Sequence, residues 1–165
     1  MTPARLIATF GGCGLFPRAP GTVGSLAALL VGLPLLKRPR MLVCAAMAAT
    51  LVGWWATARA GEGEDHSWIV IDEVAGMWIA LLACLPDSHQ DEAATKATHR
   101  LLWPIVAFGL FRLFDITKPG PIGALDRRHD AIGVMGDDVL AGFASAGCVR
   151  VLRKIWTCGN KTVSK

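Results

Sequence analysis

The sequence predicts an all-α protein, a compact bundle of about five mostly apolar helices embedded in a membrane. Of the 165 residues, 53% are hydrophobic and 18% are charged, against about 25% charged in an ordinary soluble domain. The mean hydropathy is +0.44. Apolar stretches of helical length alternate with polar or Gly/Pro-rich breaks, and no strand-like alternation is sustained.

Glycine, proline and polar runs divide the chain into these helices. Residues 1–24, which include GGCG and APGTVGS, are predicted to be loops, and 86–100 a polar connection. Apolar helices are predicted at 25–36, 41–58, 68–85, 101–118 and 137–156. The whole chain, 1–165, is predicted to be one domain with a disordered tail at 157–165.

The net charge indicates which partners are possible, and the cysteines indicate the redox compartment. A net charge of +4 suits an anionic membrane surface or a phosphorylated substrate. Nucleic acid is not expected, because no basic run is interleaved with aromatic residues, and no obligate protein partner is inferred. The five cysteines lack CxxC spacing, which favours buried thiols in a reducing compartment over disulfides or zinc.

The order of the helices predicts that the candidate chemistry shares one face of the bundle. If each helix crosses once, the loops 1–24, 58–67 and 118–137 lie together, with KRPR and 86–100 opposite. His66 and His129 are on the first face and are weaker candidates for proton transfer. Lys and Arg occur on both faces, so the positive-inside rule leaves the orientation open.

The third helix, WIVIDEVAGMWIALLACL, contains two carboxylates in an otherwise apolar run. Ionised carboxylates are costly in such surroundings unless they are paired. On a wheel at about 100° per residue, Asp72 and Glu73 share a side with Gly76. Trp78 and the leucines lie opposite and are expected to face lipid, while the small side suits packing of another helix. The carboxylates are therefore predicted to point into the bundle.

A second acidic pair, Asp137 and Asp138, opens the fifth predicted helix. Two inward-facing acidic pairs form a ligand set suited to Mg²⁺, a hard cation that prefers carboxylate oxygens. Two structural alternatives remain. The second pair could simply cap its helix, and the first could form an ion pair with Arg112.

Basic and hydroxyl side chains near the same face are candidate phosphate ligands. Arg112, Asp115 and Lys118 precede the break KPGP, and an internal Arg112–Asp115 salt bridge is the structural alternative. In PGTVGS, Thr22 and Ser25 lie at a predicted helix start, where backbone N–H groups favour phosphate. A Ser N-cap is the more common interpretation of that pattern.

Five motifs occur in order along nearly the whole chain: FPRAPGTVGSL (16–26), IVIDEVAGMWIALL (69–82), FRLFDITKPGPI (111–122), LDRR (125–128) and GVMGDDVLAG (133–142). Together they resemble the phosphatidylglycerophosphatase A family of bacterial lipid phosphatases. The resemblance implies a Mg²⁺-dependent hydrolase that converts phosphatidylglycerophosphate, a phosphorylated lipid, to phosphatidylglycerol. It also implies a multi-pass protein of the bacterial inner membrane whose active site faces the cytoplasm.

With this resemblance, the working hypothesis is metal-assisted phosphate hydrolysis. The metal ligands would be Asp72, Glu73, Asp137 and Asp138; the catalytic residues Asp72, Glu73, Asp115, Lys118 and Asp138; and the phosphate ligands Thr22, Ser25, Arg112, Lys118, Arg127 and Arg128. Asp115 is a candidate general base or phosphate-carrying nucleophile. Val23, Gly120 and Gly136 depart from the family pattern, which bears on headgroup fit and membrane seating more than on the chemistry.

Two other classes of function remain open. A small ion-coupled transporter or channel subunit would also need intramembrane carboxylates, but it would spread them through the membrane depth. Here they cluster at helix ends beside basic residues, which favours an enzyme acting on headgroups. A soluble all-α hydrolase would use the apolar helices as its own core, and carbonate extraction from membranes would reveal it.

Overall fold

A computed structural model describes residues 1–62, 66–86 and 97–163 of the chain. The α-helices of these residues are α1 (Pro3–Ala8), α2 (Pro20–Leu35), α3 (Pro39–Ala60), α4 (Ile71–Leu81), α5 (Ala97–Thr117), α6 (Pro121–Asp126) and α7 (Ala131–Val163). Two 3₁₀ helices span Cys13–Leu15 and Leu82–Cys84. The all-α prediction is confirmed. Residues 87–96 of the predicted connection 86–100, and positions 164–165, lie outside the described residues. The end of that prediction, 97–100, is wrong, because these residues form the start of α5.

The central element of the bundle is α4, against which α2, α3, α5 and α7 all pack. Ile71, Val74 and Leu81 are buried, although they lie on the side predicted to face lipid. That prediction is wrong, because the helix is enclosed by four others. At 11 residues α4 is also shorter than predicted, and it spans about 16 Å of a hydrocarbon core about 30 Å thick.

The small-residue side of α4 packs against another helix, as predicted. A Cβ on Gly142 of α7 would collide with the carbonyl oxygen of Gly76, and a Cβ on Gly76 would collide with the ring of Phe111. The backbones of α4 and α7 can touch because glycine places no Cβ between them. This close approach brings the acidic positions of the two helices together.

The prediction that residues 1–24 form loops is wrong. Pro3 and Pro20 occupy the first turns of α1 and α2, where the missing N–H of proline costs no hydrogen bond. Thr2 Oγ1 accepts a hydrogen bond from the Arg5 N–H at 3.3 Å and caps α1. PGTVGS therefore forms the first turns of α2, and Ser25 lies inside the helix instead of at its cap.

The last helix, α7, begins at Ala131, well before its acidic pair. Asp130 Oδ1 accepts from the Gly133 N–H at 2.7 Å and satisfies a free donor at the helix start. The alternative that Asp137 and Asp138 cap this helix is therefore wrong, since both lie beyond its first turn. The pair on α4 does lie in a first turn, where negative charge complements the helix dipole.

The outer surface of the bundle is largely apolar. Two helices among the described residues, Pro39–Ala60 and Ala131–Cys158, are long and apolar enough to cross a membrane. Their exposed large side chains include Met47, Leu51, Phe143, Val151 and Ile155. An apolar surface of this extent is typical of a protein in contact with lipid.

Candidate active site

Segments from five helices converge at one end of the bundle around a cavity of about 250 Å³. They are the starts of α2 and α4, the end of α5, the end of α6 and the second turn of α7. The lining includes Pro20, Gly21, His66, Ser67, Asp72, Glu73, Asp115, Lys118, Asp126, Asp137 and Asp138. Residues from the predicted site loops 1–24, 58–67 and 118–137, among them Gly21, His66 and Lys118, thus line one cavity at one end of the bundle.

Three carboxylates from three helices form the centre of this cavity. Oxygens of Glu73, Asp115 and Asp138 lie within 4.8 Å of one another. Glu73 is 8% exposed and Asp138 is 3% exposed. Like charges at this spacing and burial repel one another, so the group either takes up a proton or needs positive charge close by.

Arg112 supplies part of that charge. Its Nη1 lies 2.5 Å from Glu73 Oε2 and 2.7 Å from Asp115 Oδ2. The same nitrogen donates to Ser25 Oγ at 3.1 Å, and Nη2 lies 3.5 Å from Thr22 Oγ1. Both ion pairs considered for Arg112 from the sequence are therefore present in one network. A guanidinium suits the position because its donors are fixed in a plane.

The first turns of α2 hold Glu73 in place. Ser25 is fully buried, and its hydroxyl lies between the Gly21 carbonyl oxygen, at 2.8 Å, and Glu73 Oε2. A Cβ on Gly21 would collide with Glu73 Oε1. PGTVGS, predicted from the sequence as a phosphate-binding segment, thus approaches the glutamate closely enough to orient its carboxylate.

Lys118 follows α5 in the chain, and the ion pairs of its side chain link α6 to α7. Its Nζ lies 2.5 Å from Asp126 Oδ1 and 2.6 Å from Asp137 Oδ2. Burial lowers the pKa of the ammonium group, but hydrogen bonds to the two carboxylates outweigh burial and raise the pKa above its usual value. The backbone φ of Lys118 is +44°, which is uncommon for a residue other than glycine. The ammonium group of Lys118 thus contributes positive charge to the cavity wall at neutral pH.

Comparison with known proteins identifies the family. A sequence model of phosphatidylglycerophosphatase A matches residues 6–153. The chain belongs to the phosphatidylglycerophosphatase A family. It is accordingly a phosphoric monoester hydrolase, and family membership together with the two long apolar helices indicates membrane association.

Three relatives match over most of their length. The phosphatidylglycerophosphatase A of Escherichia coli K12 is 36% identical over 162 residues, covering 95% of this chain and 87% of that protein. The phosphatidylglycerophosphatase A of Haemophilus influenzae is 38% identical over 150 residues, covering 87% and 84%. A Bacteroides thetaiotaomicron protein, provisionally named a phosphatidylinositol-3-phosphatase, is 39% identical over 163 residues, covering 93% and 94%. No solved structure matches the chain.

The charge balance of the phosphatidylglycerophosphatase A site in this chain fits a bound cation. Six carboxylates line the cavity: Asp72, Glu73, Asp115, Asp126, Asp137 and Asp138. Among the residues that the structure describes, Arg112 pairs with Glu73 and Asp115, and Lys118 pairs with Asp126 and Asp137. A phosphate monoester would bring further negative charge, which a bound cation would offset. Oxygen-only donors suit a hard divalent cation, and the Glu73–Asp115–Asp138 group could bind one.

The cavity contains most of the residues predicted from the sequence. Asp72, Glu73, Asp115, Lys118, Asp137 and Asp138 line it, Arg112 contacts two of these carboxylates, and Thr22 contacts Arg112. Arg127 and Arg128 do not join them: both are exposed, and Arg128 pairs with Asp130 at 2.9 Å.

One carboxylate of the cavity, Asp126, was not predicted from the sequence. Asp126 lies within the motif LDRR, but only its contact with Lys118 shows that it belongs to the site. His66 also lines the cavity, where its ring stacks on Trp68 at 5.2 Å between centroids. His129, the other candidate for proton transfer, is exposed.

Proposed function

We propose that the chain is a Mg²⁺-dependent phosphatase that removes the terminal phosphate of phosphatidylglycerophosphate to give phosphatidylglycerol. The observation that carries the proposal is the buried carboxylate group beside Arg112, in a cavity at one end of an apolar bundle. Membership of a family named for this reaction supports the same substrate.

Glu73, Asp115 and Asp138 are the residues we assign to hold the ion. Asp72 and Asp137, which the sequence predicts as ligands, line the same cavity, but they are not part of the group whose oxygens lie within 4.8 Å of one another. When bound, the ion would neutralise negative charge on the phosphate. We assign Asp115, which the sequence predicts as a base or nucleophile, to the ligand set because its oxygen lies close to those of Glu73 and Asp138.

The remaining polar groups of the cavity are assigned to bind phosphate and move a proton. Arg112 and Lys118 would bind the non-bridging oxygens, where fixed positive charge stabilises the transition state. Hydrolysis breaks the bond from phosphorus to the glycerol oxygen, forms a bond to a water oxygen and transfers a proton from that water to the leaving oxygen. Asp72 lines the cavity beside the three ligands, and we assign it to accept the proton during this transfer.

We further propose that the protein crosses the bacterial inner membrane more than once, with the cavity facing the cytoplasm. The length and apolar surface of α3 and α7 support the crossings. The gathering of the polar residues at one end supports a site at the membrane surface, at the depth of a lipid headgroup. It also disfavours the transporter alternative, because the carboxylates are not spread along the bundle.

A second candidate substrate is phosphatidylinositol 3-phosphate, which the name of the Bacteroides relative suggests. Both candidates are phosphomonoesters on the headgroup of a two-chain lipid, so the cavity chemistry described above applies to either. The difference between them is the size of the alcohol that leaves, which is a glycerol in one case and an inositol ring in the other.

The test is phosphate release by the purified protein from vesicles doped with each lipid, with Mg²⁺, with EDTA, and with Mg²⁺ restored. We expect phosphatidylglycerophosphate to be hydrolysed faster, EDTA to stop release and Mg²⁺ to restore it. Equal rates of phosphate release with and without EDTA would contradict the metal assignment. Faster hydrolysis of the inositol lipid would select the second substrate, and ion flux without phosphate release would select a transporter.

Ser25→Ala is expected to lower activity about 10-fold and to raise the Mg²⁺ concentration needed for half-maximal activity. Removing a group that orients a metal ligand typically lowers metal affinity or activity by about 10- to 100-fold. The physical reason is that Glu73 loses the hydroxyl that fixes its carboxylate. Mg²⁺ titrations of the phosphate-release rate measure both effects.

Thr50→Ala is the matched control for Ser25→Ala. Thr50 Oγ1 also donates to the carbonyl four residues earlier, Ala46, at 2.9 Å, but it lies on α3 away from the cavity lining. We expect this control to leave the Mg²⁺ requirement unchanged. Equal Mg²⁺ requirements in Ser25→Ala and the wild type would contradict the positioning role.

A further inference from the structure

Several short elements pack on the helices that carry the site. On one side, α1 packs on α3 and the 3₁₀ helix Cys13–Leu15 packs on α2. On another, α6 packs on α7, and Lys118 ties the two together through Asp126 and Asp137. Between α2 and α5, the hydrogen bonds described at this end run from Arg112 to Ser25 and Thr22. The seam between α2 and α5 therefore begins at Arg112, at the edge of the cavity.

An apolar surface runs from this seam along α5. On a wheel at about 100° per residue, Ile105, Gly109 and Ile116 lie within about 60° of Arg112. Ile105 is 60% and Ile116 is 70% exposed. Gly109 is also exposed, and a Cβ added there would meet no atom within 4 Å. The glycine thus leaves a notch between larger apolar side chains, one turn from the arginine.

The facing edge of α2 is apolar as well. Leu26 and Leu33 lie within about 40° of Thr22 on the same kind of wheel, and Leu26 is 47% exposed. Because α2 starts at the cavity and α5 ends there, the two helices run antiparallel along the seam. From Thr22 to Leu33 the seam extends about 16 Å away from the cavity, at about 1.5 Å per residue.

We propose that the seam between α2 and α5 binds an acyl chain of the phosphorylated lipid substrate, with Gly109 forming the notch that admits it. This inference rests on the proposed function. A substrate whose phosphate lies beside Arg112 must place its chains on an apolar surface that begins at the cavity edge. The α2–α5 seam does so, since Arg112 contacts both the buried carboxylates and Thr22 at the seam.

Gly109→Trp tests the seam, because the indole fills the notch without entering the cavity. Gly147→Trp is the matched control: Gly147 is also an exposed helical glycine, on α7, whose added Cβ would meet no atom within 4 Å. Replacing an exposed helical glycine generally favours the helix, so both variants are expected to fold. Thermal unfolding in detergent checks this.

Both variants and the wild type are assayed on phosphatidylglycerophosphate with long acyl chains in detergent micelles and on a soluble short-chain form. In Gly109→Trp we expect KM for the long-chain lipid to rise about fivefold or more, because apolar contact area is lost, with KM for the short-chain form unchanged. Gly147→Trp should change neither value. Equal behaviour of the two tryptophan variants would overturn the proposal.

Two further outcomes distinguish an acyl-chain seam from a dimer interface and from a failure of the proposed function. If Gly109→Trp alone changes the oligomeric state measured by sedimentation in detergent, the seam binds a second copy of the chain and the proposal is wrong. If the wild type releases no phosphate from any phosphorylated lipid, the proposed function itself fails. Normal wild-type activity with no selective effect at Gly109 rejects only the seam.

Discussion

Asp138→Asn abolishes phosphate release, with an expected loss of at least about 100-fold, while the protein remains folded. Asp138 is 3% exposed, and its carboxylate lies within 4.8 Å of those of Glu73 and Asp115. The amide keeps the shape of the side chain but removes the negative charge through which the group would hold a cation and stabilise charge on the phosphate. Like-charge repulsion in the cavity also falls, so the unfolding temperature should not decrease.

The measurements for Asp138→Asn are phosphate release, Mg²⁺ binding by calorimetry and thermal unfolding of the purified protein. Asp130→Asn is its matched control, because Asp130 belongs to the same segment of the chain but caps α7 outside the cavity. Asparagine caps helices about as well as aspartate, so this variant should keep its activity. Wild-type Mg²⁺ binding and activity in Asp138→Asn would refute the ligand assignment.

Arg112→Lys is expected to lower activity by about 100-fold although the positive charge is kept. The guanidinium contacts Glu73, Asp115 and Ser25 through Nη1, while Nη2 lies 3.5 Å from Thr22 Oγ1. An ammonium at the end of a flexible chain cannot reproduce this planar set of donors, and each missing donor at such a site is typically worth about 100-fold or more. Because the positive charge is kept, the two carboxylates are not left without a cation, and this limits the loss of stability.

Arg128→Lys is the control for Arg112→Lys. Arg128 also pairs with a carboxylate, that of Asp130 at 2.9 Å, but both side chains are about half exposed and outside the cavity. Surface pairs of this kind contribute little, so we expect wild-type rates. Steady-state kinetics on the lipid substrate distinguish the two. If Arg112→Lys retained wild-type kcat, the fixed geometry of the guanidinium would be irrelevant to the reaction.

Several features of the site are visible in the sequence because they follow from local chemistry. Charged residues in apolar helices must find partners, which is why Asp72, Glu73 and Arg112 were recognisable as site residues before any contact was known. The glycine and alanine positions of 68–85 indicated a closely packed helix, and α7 packs there through Gly142. The polar segments were expected at one end, and they line one cavity.

Helix boundaries were less predictable, since the same residues that break a helix can also start one. Pro20 in APGTVGS was interpreted as part of a loop, but proline is equally suited to a first turn, and α2 begins with it. Asp130 and not Asp137 caps α7. These differences matter for function because they place Ser25 inside α2 against Glu73 and Asp138 deep in the carboxylate group.

The sequence by itself determined the all-α architecture, its apolar surface and the identity of nearly all the charged residues in the cavity, because periodicity and the energetic cost of buried charge are local properties. Only the tertiary structure decided that α4 is enclosed, that Ser25 supports Glu73, that Lys118 joins Asp126 to Asp137, and that Asp115 completes the carboxylate group. Those relations join residues far apart in sequence. They depend on how closely helices approach, which is set where Gly21, Gly76 and Gly142 place no Cβ at the contact.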